Sequence, residues 1–461
     1  MNLDDAVRLI KQTHVEQVLL PVLVQLTIIV LAARLCGALF RKLGQSAVVG
    51  EIAAGLMLGP SLMGQLPWIQ SVFHPTLIDV PPELSDQLFR WIFTILGQLG
   101  LILLLFLVGL EFDFRHLRIK GRAAICISIA GIVVPFALGL GVAPLIHGKP
   151  AVYGVGEIVS PFWTFALFIG TALSITALPV LGRLMIELNI HRSRIGAVAI
   201  TAAAAGDAVG WILLASVSAL AQSEFQWQAT LRMFGWAIGF GLFVIFLARP
   251  LLCRLSRLAI QGSNEITVNV MASLIGVLFL FAIATSWIGI FAIFGAFLLG
   301  AVLSSEVEFR QNIQRQLHSF VTAFFLPIFF TYTGLRTRVQ SLDSPELWFM
   351  FGLLLAAAIG GKFIGCALTA RMTGFGSRES ACIGVLMNTR ALMELIVINV
   401  GYDLGVIPES VFCMLVLMAL ITTVMTTPLL LWLVRGTDLE LLVAQSEFRL
   451  GGKMREENRT G

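Results

Sequence analysis

Charge is scarce in this sequence. Of 461 residues, 13% are Asp, Glu, Lys or Arg, about half the share of an ordinary soluble domain. That shortage excludes a fully solvated surface. Tyrosine occurs 3 times against 33 phenylalanines. The six cysteines, Cys36, Cys126, Cys253, Cys366, Cys382 and Cys413, are scattered in or beside apolar segments without metal-ligand spacing, and read as packing residues. The histidines (His14, His74, His116, His147, His191 and His318) fall in loops or segment ends and form no metal motif. No phosphate loop is present, because Gly361-Lys362 lacks the preceding Walker spacing, and no pair of catalytic carboxylates stands out. Neither an enzyme, a cofactor nor a nucleic-acid partner is expected. The opening Met-Asn-Leu-Asp-Asp lacks the basic region of a cleaved signal peptide.

What the chain has in quantity is apolar sequence: 57% hydrophobic residues and a mean hydropathy of +0.91. The runs are far too long for barrel strands, so the fold class is an all-α polytopic membrane protein. Residues 1–17 read as an amphipathic lead-in. About thirteen spans follow, at 18–40, 46–66, 90–111, 121–147, 161–188, 194–221, 229–249, 266–284, 286–305, 316–335, 345–371, 379–401 and 409–434. Only Thr285-Ser-Trp287 separates the eighth from the ninth. Residues 435–461 read as a short cytoplasmic tail, with no soluble domain after it.

Lys and Arg sort onto alternate loops, 21 against 7, with Arg34, Lys362 and Arg390 left inside spans. The positive-inside rule then places the N-terminus outside and the C-terminus in the cytoplasm, which agrees with an odd number of spans. The chain also repeats. Gly55-Leu-Met-Leu-Gly59 resembles Ala296-Phe-Leu-Leu-Gly300, and Phe106-Leu-Val-Gly-Leu110 resembles Tyr332-Thr-Gly-Leu335. Matching spans lie an odd number apart, so the second copy runs the opposite way. The plan is a 6+1+6 inverted repeat: residues 18–221, a linker helix over 229–249, and residues 266–434.

One carboxylate, Asp207, lies inside the small, apolar run Thr201-Ala-Ala-Ala-Ala-Gly-Asp-Ala-Val-Gly-Trp211. It falls about 20 Å along a helix begun near Arg194, at 1.5 Å per residue. An ionised Asp at that depth costs roughly 2.5–3.5 kcal/mol. It is either a hydrogen-bonded carboxyl that ties helices together or an ion and proton site, and intramembrane acids point to the second.

Transporter sites use helices broken at mid-membrane. Thr171-Ala-Leu-Ser-Ile-Thr-Ala-Leu-Pro179 carries a helix-breaking Pro179, with the hydroxyls of Ser174 and Thr176 offered where the helix opens. Seven spans later, Met387-Asn-Thr-Arg-Ala-Leu-Met-Glu394 is a polar cluster whose Asn388 and Thr389 mark a second break. The two breaks are expected to cross. Lys362, roughly 13 Å deep at the helical rise, either pairs with Asp207 or faces a helix C-terminus as a fixed charge. Arg390 and Glu394 are four apart on one face and read as a neutralised structural pair. Glu51, near the inner membrane edge, fits gating or packing.

These segments, with Gly50-Glu-Ile-Ala-Ala-Gly-Leu-Met-Leu-Gly-Pro-Ser61, Phe106-Leu-Val-Gly-Leu-Glu-Phe-Asp113, Thr176-Ala-Leu-Pro-Val-Leu181 and Phe325-Leu-Pro-Ile-Phe-Phe330, resemble the monovalent cation:proton antiporter-2 family. The closest likeness is to its plant cation/H⁺ exchanger branch and bacterial relatives. The resemblance covers about residues 20–434. It implies exchange of Na⁺ or K⁺ for H⁺ across a bacterial inner membrane, by a homodimer with one contact bundle and one moving core bundle. It further implies that Asp207 is the shared cation and proton carboxylate, with Thr176 at the first break and Lys362 as the basic residue of the core. Family members usually carry Asp, Asn or Gln immediately before the key Asp. Here Gly206 stands there, which favours one-for-one, electroneutral exchange. The nucleotide-binding domain of the potassium-efflux relatives is not expected, because the chain ends too soon for one. Two rival readings of the same acid are a cation channel or leak pathway, and a transporter coupling an organic solute to H⁺ or Na⁺.

Overall fold

The computed structural model describes residues 15–444, apart from 65, 74, 76–79, 112–120, 154–159, 191–192, 223–226, 261–265, 290–291, 391, 436 and 438. The lead-in before Val15, the end of the Phe106–Asp113 motif and the tail beyond Ala444 therefore lie outside the described residues.

Every regular element among the described residues is helical. Among the described residues nine helical runs are long and apolar enough to cross a membrane, and three shorter apolar helices accompany them. The α-helices of ten or more residues are, in chain order, α1 (Val15–Lys42), α2 (Ala47–Leu58), α3 (Pro82–Glu111), α4 (Gly121–Ile146), α5 (Phe162–Ser174), α6 (Leu178–Glu187), α7 (Arg194–Gln222), α8 (Trp227–Phe243), α9 (Arg249–Ile260), α10 (Val268–Ile288), α11 (Ala292–Leu303), α12 (Val307–Phe320), α13 (Leu326–Arg336), α14 (Pro345–Met372), α15 (Ser377–Met387), α16 (Leu392–Asp403) and α17 (Glu409–Val434). They form two compact units, one from residues 1–38, 50–113 and 227–340, the other from 39–49, 114–226 and 341–461.

Several boundaries differ from the expected spans, each for a local reason. The run 46–66 is helical only to Leu58. Pro60 disfavours helical backbone at Gly59, and the chain turns back with Met63 N–H donating to Met57 O at 2.9 Å. The break expected at Thr285–Trp287 falls later: α10 runs to Ile288 and ends at Gly289, whose φ of 96° supplies the left-handed cap. The spans 229–249 and 316–335 are longer than expected. Each passes through one π-helical turn, Val244–Ala248 between α8 and α9 and Val321–Phe325 between α12 and α13.

In the first unit two crossings bring backbones into direct contact. A Cβ on Gly55 of α2 would lie 2.1 Å from Thr331 O of α13, and one on Gly300 of α11 would lie 2.2 Å from Phe106 O of α3. Small residues at a crossing are the common device for packing helices in lipid, where no hydrophobic force drives association.

The π turn before α13 also accounts for Arg34. Leu326 N–H donates to Val321 O in the five-residue register. The next donor in that register would be residue 327 toward Thr322 O, but Pro327 has no N–H. Arg34 of α1 supplies the missing hydrogen bond, Nη2 to Thr322 O at 2.6 Å. Arg34→Leu is expected to cost about 1.5–3 kcal/mol, the range for hydrogen bonds to charged groups. In a Pro327→Ala background that cost should fall by half or more. A double-mutant cycle on thermal unfolding of the solubilised protein measures it, and equal losses in both backgrounds would refute the pairing.

The second unit contains Asp207, both expected helix breaks, Lys362, Arg390 and Glu394. Its core gathers apolar side chains of α6, α7, α14, α15 and α17, among them Leu181, Met185, Ala199, Ala203, Cys366, Leu386 and Leu430.

Candidate functional site: two helix breaks around Asp207

The first break is residues 175–177. Pro179 is the second residue of α6 rather than the break itself. A proline disfavours a helical carbonyl four positions earlier, and the residue there, Ile175, is extended with φ −76° and ψ 143°. The second break, after α15, has no proline. Asn388 caps α15 with φ −83° and ψ 0°, donating its N–H to Gly384 O and Val385 O. The two breaks touch, for Ala177 N–H donates to Thr389 O at 3.1 Å and Thr176 Oγ1 donates to Met387 O at 3.4 Å.

A helix that stops inside a membrane exposes its last carbonyls without water to satisfy them. At the end of α5 two cations do so. Lys362 Nζ donates to Ser174 O at 2.5 Å and to Thr176 Oγ1 at 2.6 Å. Arg390 donates to Leu173 O at 2.7 Å, to Ala172 O at 3.2 Å and to Ala358 O at 3.3 Å. Positive charge at a helix C-terminus is also where the macrodipole favours it. Close packing of α14 on α4 holds Lys362 in place: a Cβ on Gly361 would lie 2.8 Å from Pro135 Cα. Arg390 Nη1 lies 2.8 Å from Glu394 Oε1, with both side chains fully buried. The alternatives for Lys362 are thereby separated. It sits on the end of α5, and among the described residues no ion pair joins it to Asp207.

Asp207 is the fourteenth of the 29 residues of α7 and is 3% exposed. Its carboxylate accepts the backbone N–H of Leu178, the first residue of α6, so it caps the positive end of that half-helix. Its Oδ1 has no hydrogen-bond partner. The adjoining Gly206 leaves room, the nearest heavy atom to a Cβ there being Ser128 Oγ at 3.9 Å. Ser174 Oγ donates to Gly170 O at 2.6 Å and is 3.2 Å from Ile132 O. The structure therefore brings Asp207, Ser174, Thr176, Lys362, Asn388, Thr389, Arg390 and Glu394 together in one unit. Glu51 lies in the other unit, where its backbone carbonyl accepts Thr331 Oγ1 at 3.1 Å. Ala358 escaped the sequence reading, because a backbone carbonyl on an apolar helix has no signature in the side-chain pattern.

A buried carboxylate with a free oxygen, at the crossing of two interrupted helices, is chemistry for holding a small cation or a proton. The sequence matches the transmembrane sodium/hydrogen exchanger family over residues 29–435. The chain belongs to that family. It is 38% identical to the Na⁺/H⁺ antiporter NhaS4 of Synechocystis, over 89% of this chain and 96% of that one. It is 37% identical to cation/H⁺ antiporter 17 of Arabidopsis thaliana, over 89% of this chain but 48% of the plant protein. A third relative, K⁺/H⁺ antiporter 1 of Saccharomyces cerevisiae, is 32% identical over 88% of this chain and 46% of its own length. This member of the exchanger family thus spans about half the length of its plant and yeast relatives. Its fold is that of the sodium proton antiporter MjNhaP1 from Methanocaldococcus jannaschii, with a TM-score of 0.59, 14% identity, and coverage of 93% and 99%. This exchanger-family chain is accordingly a multi-pass membrane protein.

Proposed function

We propose that this chain is a secondary active transporter exchanging a monovalent cation, Na⁺ or K⁺, for H⁺ by alternating access, one for one and without net current. The observation that carries the reading is the free oxygen of Asp207 at the crossing of the two breaks. Deprotonated Asp207 binds the cation, and protonation removes the charge that holds it. Lys362 and Arg390 stay on the end of α5 throughout, so the entering cation displaces no ammonium from the acid. Gly206 leaves Asp207 without an acidic neighbour, which supports one charge exchanged for one. The family names of the relatives support the same exchange for both ions, whereas a channel or an organic-solute carrier finds no support among them.

The inverted repeat belongs to the same proposal. The repeat relates α2 to α11 and α3 to α13, so it carries the crossing of α2 with α13 onto that of α11 with α3, which supports it. The homodimer, the placement in a bacterial inner membrane, and the orientation with the N-terminus outside and the C-terminus in the cytoplasm also belong to this proposal. On α8, Gly235 and Gly239 have nothing packed within 4 Å of a Cβ position, a small-residue face suited to a second membrane helix.

The test is cation-driven dissipation of a pH gradient in proteoliposomes, scanned over Li⁺, Na⁺, K⁺ and Rb⁺ with and without valinomycin. Wild type should exchange at rates that valinomycin leaves unchanged, and Asp207→Asn should lose at least about 99% of the activity, as expected when the group carrying both ions is removed. Exchange retained in that variant, or ion flux indifferent to an opposing proton gradient, would reject the reading.

A further inference from the structure

The oxygens around Asp207 are not equally available. Those of the first break are engaged: Thr176 Oγ1 accepts the Lys362 ammonium at 2.6 Å, and the Ser174 hydroxyl donates to Gly170 O at 2.6 Å. A cation bound through Thr176 would sit beside an ammonium, against like-charge repulsion in a medium that screens it weakly. The second break presents the opposite picture. Asn388 Oδ1 and Thr389 Oγ1 have no hydrogen-bond partner, although the residues are 3% and 1% exposed. Buried polar atoms are otherwise nearly always paired, so each such orphan asks for a reason.

The backbone links the second break to Asp207. Two consecutive amides at the start of α6 reach out in turn: Ala177 N–H to Thr389 O at 3.1 Å, and Leu178 N–H to the Asp207 carboxylate. Asn388 is the residue before Thr389, and α7 packs against both α15 and α16. A carboxylate, an amide carbonyl and a hydroxyl, each with a free oxygen, form a donor set for a hard cation.

We infer that the second break, through Asn388 and Thr389, supplies the side-chain oxygens that complete the cation site at Asp207, in place of Ser174 and Thr176. This rests on the exchange reading above and adds to it the residues that set ion preference. The substrate is a partly dehydrated monovalent cation, and the polar ligand that Gly206 does not offer comes from the other interrupted helix.

The experiment uses the full chain in proteoliposomes, with KM measured for Li⁺, Na⁺, K⁺ and Rb⁺ at fixed pH. Cation-dependent thermal stabilisation of the solubilised protein reports binding without transport. Asn388→Ala and Thr389→Val should each raise KM for the preferred ion by about tenfold or more and change the order among the four ions. Each should also shrink the cation-induced rise in Tm, and Thr389→Ser should behave as wild type. If Asn388→Ala does not fold, the isosteric Asn388→Asp should change the pH dependence of KM by adding a second titrating group to the site, and a profile identical to the parent's counts against the inference. Unchanged KM and ion order in the Asn388 and Thr389 variants, with Asp207→Asn inactive, would overturn it and leave the exchange reading standing. A larger KM effect from Ser174→Ala than from Asn388→Ala would overturn it too. Exchange surviving Asp207→Asn would instead remove the exchange reading itself.

Discussion

Proteoliposomes containing Gly206→Asp are expected to carry net current where the parent carries none. The substitution adds a second acid one residue before Asp207, and the backbone accepts it, since a Cβ at 206 has only Ser128 Oγ at 3.9 Å for a neighbour. The hydroxyl of Ser128 on α4 is placed to donate to the new carboxylate. On the proposed one-for-one exchange, one carboxylate moves one positive charge each way per cycle. With two, a cycle that loads two protons against one cation moves a net charge. A membrane potential of 100 mV acts on that charge with about 2.3 kcal/mol, roughly a 40-fold change in the ion gradient the exchanger can hold. Valinomycin, without effect on the parent, should then accelerate the variant severalfold, and a potential imposed without an ion gradient should drive proton movement. Exchange in Gly206→Asp that stays indifferent to potential would show that stoichiometry is set elsewhere.

Arg390→Met is expected to have the largest effect on stability. The guanidinium is fully buried and holds three groups at once: Glu394, the last carbonyls of α5 and Ala358 O. Its loss strands the Glu394 carboxylate, whose Oε2 already lacks a partner. Breaking a buried pair from one side costs about 3–5 kcal/mol, and an orphaned carbonyl about 1–3 more. Set against a total stability of about 5–15 kcal/mol, that should abolish recovery of monodisperse protein or lower Tm steeply. Arg390→Met with Glu394→Leu removes the stranded charge and should restore a folded protein. The rescue remains partial, because Ala172 O and Leu173 O stay unsatisfied. A single variant as stable as wild type, or a double variant no better than the single, would contradict this account.

How much of this was readable beforehand depended on how far each cause lies along the chain. Asp207 stood out because its neighbours are apolar for two turns either way. The first break was legible through Pro179, though the backbone opens at residue 175, four positions back, where the ring acts. The second break carried a weaker signal, Asn388 and Thr389 in an apolar run, and their side chains read as helix interrupters rather than ligands. For Lys362 the sequence left two partners open, because the end of α5 lies 188 residues away and only tertiary packing brings it near. Arg34 was opaque for the same reason: the carbonyl it satisfies is 288 positions distant and exists because of a proline elsewhere. Composition points to the polar Thr285-Ser-Trp287 as the division, whereas the backbone continues to the left-handed cap at Gly289.

The clamp on the end of α5 has a consequence for coupling. Because Lys362 is held by Ser174 O and Thr176 Oγ1 and Arg390 by main-chain carbonyls and Glu394, no ion pair among the described residues neutralises Asp207 when it holds neither ion. A reorientation in that idle form would drag a bare anion through a low-dielectric passage, at a penalty of roughly 2.5–3.5 kcal/mol. Slippage is then suppressed about a hundredfold or more relative to a loaded turnover. On the exchange reading, the transporter then turns over freely only with a passenger aboard.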